Sequence, residues 1–178
     1  MGNALYNGII ALGRAIDSIA MFGCGTGDIS HTEERGKPKC AVGHVTYAIA
    51  GHPLYAADSL QDPDEYNAAQ VAFIALIEVL PAETRKRLYE VARHTDEERG
   101  TGYPASGSVL RAFSGEGEMG DYQTAVIMVN DRILRGSPLR VSEWFSAAFD
   151  LLAARLPEPH YFKQLAALTA QPHIQAPL

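Results

Sequence analysis

Residues 62–81 read DPDEYNAAQVAFIALIEVLP, and this stretch decides the fold class. Asp62 is a residue type that caps helix N-termini, and Pro63 fits the first helical turn. Apolar residues then recur at steps of three and four, as on one face of a helix, until Pro81 ends the pattern. We therefore expect a long helix with a wide buried stripe here, the strongest core helix of the chain.

The same periodicity extends outward in both directions. It predicts a first helix over 3–21, a second from about residues 38–40 to Gly51, a fourth over 82–94 and a strong amphipathic helix from Ser137-Pro138 to about Leu156. A short last helix should follow Pro159, with a frayed tail from Gln171. The residues expected to face inward on the first, fourth and amphipathic helices are Leu5, Ile9, Leu12, Ile16, Ile19, Leu88, Val91, Val141, Trp144, Phe145, Ala148, Leu151 and Leu152.

Two segments lack a clear pattern. Residues 96–120 are charged and then rich in Gly and Ser, which favours a mobile insertion that could act as a lid. Tyr122 to Asn130 is a short apolar run, and periodicity alone does not distinguish a buried strand from a buried helix at this length. The sequence therefore predicts a single mainly α domain over residues 1–178. It would be an orthogonal bundle of five or six helices with a Gly-rich loop and at most a small strand component.

Composition narrows the function classes. The 178 residues carry a formal net charge of -6, with 47% hydrophobic residues, and the basic residues form no cluster. Binding to nucleic acid or to an anionic membrane surface requires gathered Lys and Arg, so we expect neither partner. The opening residues have no basic segment followed by an apolar core, and the chain has two cysteines. We therefore expect a cytoplasmic protein with reduced thiols.

The chemistry-bearing residues concentrate between Gly23 and Gly51. This stretch contains both cysteines, Cys24 and Cys40, two histidines and six glycines. Its first part, Gly23-Cys24-Gly25-Thr26-Gly27-Asp28, has backbone N–H groups that could cradle an anion. It follows a helix and lacks both the dinucleotide spacing and the P-loop Lys-Ser/Thr, so helix-ending glycines remain the simpler interpretation.

Three features together resemble a known family. They are a Gly/Cys turn after the first helix, the run Gly36-Lys37-Pro38-Lys39-Cys40-Ala41-Val42-Gly43, and Val129-Asn130-Asp131 before the amphipathic helix. The chain thus resembles the bacterial and phage family known as domain of unknown function 6197. His44 stands where that family usually has Ala, and Val129 where it usually has Trp. The resemblance implies a helical fold in which Cys40, Asn130 and Asp131 are central, and it implies no activity.

Two chemical hypotheses follow from the residue types. Cys24, His31, Cys40 and His44 could bind zinc, because Cys40 and His44 are four residues apart and would share a helix face. The Cys-x-x-Cys spacing typical of zinc motifs is missing. Alternatively, Cys40 at a helix N-terminus would have a lowered pKa and act as a nucleophile. His44 or a histidine farther along the chain would then be the base, oriented by Asn130 or Asp131.

Our leading interpretation is a small binding or accessory protein without a cofactor. Its partner would be a protein or a small ligand, held where the 23–44 loop meets Asn130-Asp131, with Gly25, Gly27 and Asp28 as ligand-binding residues. For Asn130-Asp131, a role in setting a turn is the plainer alternative. The rival function is a Cys/His-dependent enzyme, either a thiolate hydrolase or a zinc enzyme, with Cys40, His44 and Asp131 as catalytic residues. The sequence leaves a homo-oligomer open.

Overall fold

Helices make up most of the chain in a computed structural model that describes residues 2–31, 36–54, 57–100 and 102–157. The seven α-helices of these ranges are α1 Gly2–Phe22, α2 Ala41–Ala50, α3 Pro63–Glu78, α4 Ala82–Arg99, α5 Ala105–Ser114, α6 Met119–Met128 and α7 Pro138–Ala153. A 3₁₀ turn covers Ala57–Ser59, and a π-helical turn covers Val129–Ile133. Since the described residues contain no strand, the predicted all-α bundle is confirmed, with seven helices in place of five or six.

Helix α3 lies at the centre of the bundle. It packs against α1, α2, α5, α6 and α7. Asp62 caps it as predicted, because its carboxylate accepts a hydrogen bond from the backbone N–H of Asp64 at 2.8 Å. Phe73 and Leu76 have no exposed surface at all. Complete burial of such large side chains is the main stabilising contribution that this helix makes.

The predicted inward faces of the other helices are confirmed. On α1, Ile9 and Leu12 are fully buried, and on α7 Phe145 and Val141 are fully buried. Leu5, Ile16, Val91 and Leu151 are partly buried and pack against this core. Ser137 caps α7 by accepting from the Arg140 backbone N–H at 3.4 Å. The helix and frayed tail expected beyond Pro159 lie outside the described residues.

A short antiparallel arm connects α1 to α2. The backbone N–H of Lys39 donates to the Ile29 carbonyl at 2.8 Å, and that of His31 donates to the Lys37 carbonyl at 3.1 Å. The arm rests on α2 at Gly43, where an added Cβ would lie 2.2 Å from the Ile29 oxygen. Only glycine permits this close approach. These contacts therefore bring the Gly-rich loop and the start of α2 side by side.

The segment 96–120 is more regular than the sequence suggested. It contains the end of α4, all of α5 and the start of α6, and Val109 is fully buried. Helix α5 has no side-chain cap of its own. Instead, the Asp96 carboxylate on α4 accepts from the backbone N–H of Ala105 and from that of Ser106, the latter at 3.1 Å. A cap from another helix leaves no local sequence signature, which is why the helix was missed. The mobility of this segment stays a prediction.

The apolar run Tyr122 to Asn130 is helical, which resolves the choice between strand and helix. Asp121 helps to start α6, since its carboxylate accepts from the Glu118 backbone N–H at 2.9 Å and binds Arg111 of α5.

None of the described helices is both long and apolar enough to cross a membrane.

Candidate functional site

The candidate site is built on the π-helical turn that follows α6. The Leu134 backbone N–H donates to the Val129 carbonyl at 2.9 Å, five residues back. The chain then reverses through Arg135, whose φ of 53° is unusual for a non-glycine residue, and Gly136, whose φ is 64°. Both π turns and positive-φ residues occur often at functional sites. Asn130 and Asp131 lie within this turn.

Asn130 joins the turn to the Gly-rich loop and to α2. Its side chain is fully buried. Oδ1 accepts from the Ala41 backbone N–H at 3.2 Å and from the Cys24 thiol at 3.4 Å, while Nδ2 donates to the Gly25 carbonyl at 2.9 Å. The amide orientation is fixed, because a backbone N–H only donates and a carbonyl only accepts. The predicted meeting of the 23–44 loop with Asn130 is therefore present.

Asp131 lies at the edge of this contact and is partly exposed. One carboxylate oxygen accepts from Asn130 Nδ2 at 2.6 Å, and the other accepts from the Gly27 backbone N–H at 3.4 Å. Gly25 and Gly27 are thus brought to the Asn130-Asp131 pair as expected. Asp28, also predicted to bind the ligand, is exposed and forms no hydrogen bond with the described residues.

Cys40 does not have the activation that the nucleophile hypothesis requires. It is the N-cap of α2, and its sulfur accepts from the Gly43 backbone N–H at 3.5 Å. Burial nevertheless raises the pKa of Cys40 to about 11, and burial likewise raises the pKa of Cys24 to about 12. The expected lowering of the Cys40 pKa by the helix N-terminus is therefore wrong. Desolvation of the thiolate outweighs the favourable backbone N–H groups.

His44 is held as a buried structural residue. Its Nε2 donates to the Gly23 carbonyl at 2.8 Å, and its Nδ1 is hydrogen-bonded to the Ser18 hydroxyl. The carbonyl only accepts, so Nε2 carries the proton and Nδ1 accepts from Ser18. Burial lowers the pKa of His44 to about 4. With both nitrogens occupied, His44 is not placed to take a proton from Cys40, and its hydrogen bonds do not reach Asp131.

The four residues of the zinc hypothesis do not form a metal site here. Within the described ranges, which include Cys24, His31, Cys40 and His44, no three His, Cys, Asp or Glu side chains converge as ligands. The two nitrogens of His44 are already hydrogen-bonded. The Cys40–His44 spacing therefore places a thiol and an imidazole on one helix, but the two side chains do not form a shared metal site.

An open cleft of about 270 Å³ adjoins the π turn. Helices α4, α5 and α6 and the turn surround it. Its lining comprises Thr95, Arg99, Ala105, Thr124, Ile127, Met128, Asp131 and Arg132. The side chains of Arg99 and Arg132 are exposed and form no hydrogen bond or ion pair with any described residue. Sequence reasoning missed both arginines. The charge of Arg132 directly after Asp131 was a readable signal, whereas Arg99 reaches the cleft only through the packing of α4.

Comparisons with known proteins add no relative: no family model, curated protein or solved structure matches this chain.

Proposed function

We propose that the protein acts by binding a small anionic ligand in the cleft beside Asp131. The observation that carries this proposal is the placement of Arg99 and Arg132, whose side chains pair with no described residue, on one cleft with the Asp131 carboxylate. Guanidinium groups bind carboxylates and phosphates through paired N–H donors. Asp131 would accept a hydrogen bond from an amide or hydroxyl group of the same ligand. Ile127 and Met128 supply apolar surface.

The Gly-rich loop has a supporting role in this proposal. Asn130 ties the loop to the π turn, and the Gly27 backbone N–H donates to Asp131. These contacts fix the position of the Asp131 carboxylate at the cleft. The segment 96–120 contributes Arg99 and Ala105 to the same cleft. The same segment is the one predicted from the sequence to act as a lid. The resemblance to domain of unknown function 6197 is part of the proposal only through its Asn-Asp pair.

A binding function fits the groups near the cleft better than the enzyme alternative does. The thiols of Cys24 and Cys40 have raised pKa values, and His44 uses both ring nitrogens. A general base must lie within hydrogen-bonding reach of the proton that it takes. The alternative of a Cys40-dependent enzyme is tested separately by thiol labelling, described in the Discussion.

The test is a titration of the protein with citrate, pyrophosphate and N-acetylaspartate, followed by amide NMR spectra. We expect saturable shifts for residues that line the cleft. The double substitution Arg99→Met with Arg132→Met should weaken binding by about tenfold or more, since a charged hydrogen bond contributes roughly 1.5–3 kcal/mol. The control is Arg93→Met, an exposed arginine on α4 whose only ion pair with a described residue is a weak one with Glu97 at 3.9 Å. The proposal is overturned if none of the three probes shifts the cleft residues. It is also overturned if the unmodified protein and the double variant bind the probes with equal affinity.

A further inference from the structure

A second cleft, of about 330 Å³, lies between α1, α2 and the start of α3. It shares no residue with the cleft beside Asp131. Arg14 of α1 lines it on one side, and Asp64 and Glu65 line it at the start of α3. Ile10 and Ile49 give it partly buried apolar surface. The cleft therefore combines a cationic group, an apolar wall and three carboxylates, of which that of Asp62 caps α3.

Among the described residues, Arg14 has none of the partners that a guanidinium in this position requires. Its Nε atom is shielded from solvent and has no hydrogen-bond acceptor in the described part of the chain. The side chain forms no other hydrogen bond or ion pair within the described chain. A buried charged donor without an acceptor is unfavourable by an amount that proteins rarely tolerate without a reason. An acceptor in the cleft would pair with the Arg14 guanidinium, which lines the cleft and has no partner among the described residues.

The carboxylates of the same cleft do not supply that acceptor. Neither Asp64 nor Glu65 forms an ion pair with Arg14 or with any other described residue. Asp62 is occupied as the cap of α3, accepting from the backbone N–H groups of Asp64 and Glu65 at 2.8 and 3.4 Å. Opposite charges that line one cleft without pairing leave room for a molecule between them. Such a molecule must carry both charges to complement both sides.

We infer that this cleft binds a small zwitterion with a carboxylate at one end and an ammonium group at the other. The carboxylate would pair with Arg14, and the ammonium group with Asp64 and Glu65. A chain of methylene groups between them would lie against Ile10 and Ile49. A cleft of this volume accommodates a molecule of roughly ten heavy atoms, near the lower limit for ligand sites. This second site is independent of the function proposed above.

The probe for this inference is 6-aminohexanoate, titrated into the full chain and followed by amide NMR spectra. Hexanoate and hexylamine each lack one of the two charges and serve as matched probes. We expect saturable shifts at residues 7–14, 48–49 and 62–68, and affinity for each matched probe about tenfold weaker or more. Shifts in these ranges are distinct from those of the cleft beside Asp131, so either proposal can fail without the other.

Two variants assign the charges. Arg14→Met should weaken 6-aminohexanoate binding by about tenfold or more, whereas Asp64→Asn with Glu65→Gln should weaken it similarly but leave hexanoate binding unchanged or stronger. The control Arg93→Met should bind like the unmodified protein. If Arg14→Met does not fold, the variant Asp64→Asn with Glu65→Gln still tests the inference, because both of these residues lie in the first turn of α3. The inference is overturned if no probe saturates these ranges, or if hexanoate and 6-aminohexanoate bind equally well to both the unmodified protein and the carboxylate variant.

Discussion

The side-chain amide of Asn130 donates to the Gly25 carbonyl at 2.9 Å, joining the π turn to the Gly-rich loop across 105 residues of sequence. The same side chain accepts from the Ala41 backbone N–H. A single buried residue thus supplies partners for backbone groups of the Gly-rich loop and of the start of α2. Its removal would leave the buried Ala41 N–H and the partly buried Gly25 carbonyl without this partner, which is more unfavourable than the loss of the hydrogen bonds alone.

We therefore expect Asn130→Ala to lower the free energy of unfolding by about 2–4 kcal/mol. The measurement is urea denaturation followed by circular dichroism. Asn67→Ala, an exposed asparagine on α3, is the matched control and should change stability by less than about 0.5 kcal/mol. Equal effects of the two substitutions would show that Asn130 is not the connection described here.

Gly136 should be the glycine least tolerant of substitution among those with positive φ. Its φ is 64°, and an added Cβ would lie 2.5 Å from the carbonyl carbon of Gly25. Gly115 has a φ of 76° with open space around it, so it isolates the conformational effect. We expect Gly115→Ala to destabilise the protein by about 1 kcal/mol and Gly136→Ala by about 3 kcal/mol. Similar unfolding midpoints for the two variants would contradict this close approach.

The buried imidazole of His44 predicts a specific pH dependence of stability. Burial lowers its pKa from the ordinary 6.5 to about 4 in the folded protein. Between these values the unfolded chain binds a proton that the folded chain does not, so stability rises with pH. The contribution is complete above about pH 6.5 and is lost as the pH falls toward about 4, amounting to roughly 3 kcal/mol at most.

The measurement is urea unfolding at several pH values between about 4 and 7, for the unmodified protein and for His44→Gln. The variant should be less stable at neutral pH, but its stability should fall less steeply on acidification. The exposed His52 provides the control His52→Gln, whose pH profile should match that of the unmodified protein. A His44→Gln profile parallel to the unmodified one would show that His44 does not hold this neutral state.

The raised thiol pKa values predict slow alkylation of the folded protein. Burial raises the pKa of Cys40 to about 11 and that of Cys24 to about 12, so the thiolate fraction near neutral pH is very small. We expect iodoacetamide to modify both thiols at least about a hundredfold more slowly than it modifies free cysteine. Urea should abolish the difference. Rapid labelling of Cys40 at about pH 6 would instead support the thiolate-enzyme alternative.

The helices could be predicted where their signals are local. Asp62, Ser137 and the apolar stripe of α3 each act within one helix, and the structure uses them as expected. Helix α5 was missed because the groups that support it, Asp96 and Asp121, belong to other helices. Propensity is a weak guide when stabilisation comes from tertiary contacts.

The contact between the Gly-rich loop and Asn130 was expected from the residue types, and the hydrogen bond from Asn130 to Gly25 shows it. The chemistry of the residues around this contact was not predictable in the same way. The role of His44 was not predictable, because Ser18 and Gly23 reach its two nitrogens only after α1 and α2 have packed. The sign of the Cys40 pKa change depends on burial, which outweighs the helix N-terminus. A residue pattern does not reveal that balance.

Helix α3 ends with a carbonyl that its own backbone does not satisfy. The Leu80 backbone N–H donates to Ile77 at 3.2 Å, which leaves the Leu76 carbonyl to accept from Trp144 Nε1 at 2.7 Å. Trp144 is the only tryptophan of the chain. Its indole fluorescence is therefore an intrinsic optical reporter of the contact between α3 and α7, here called the seam. Changes in emission wavelength on denaturation or ligand addition would register the opening of that seam without any attached label.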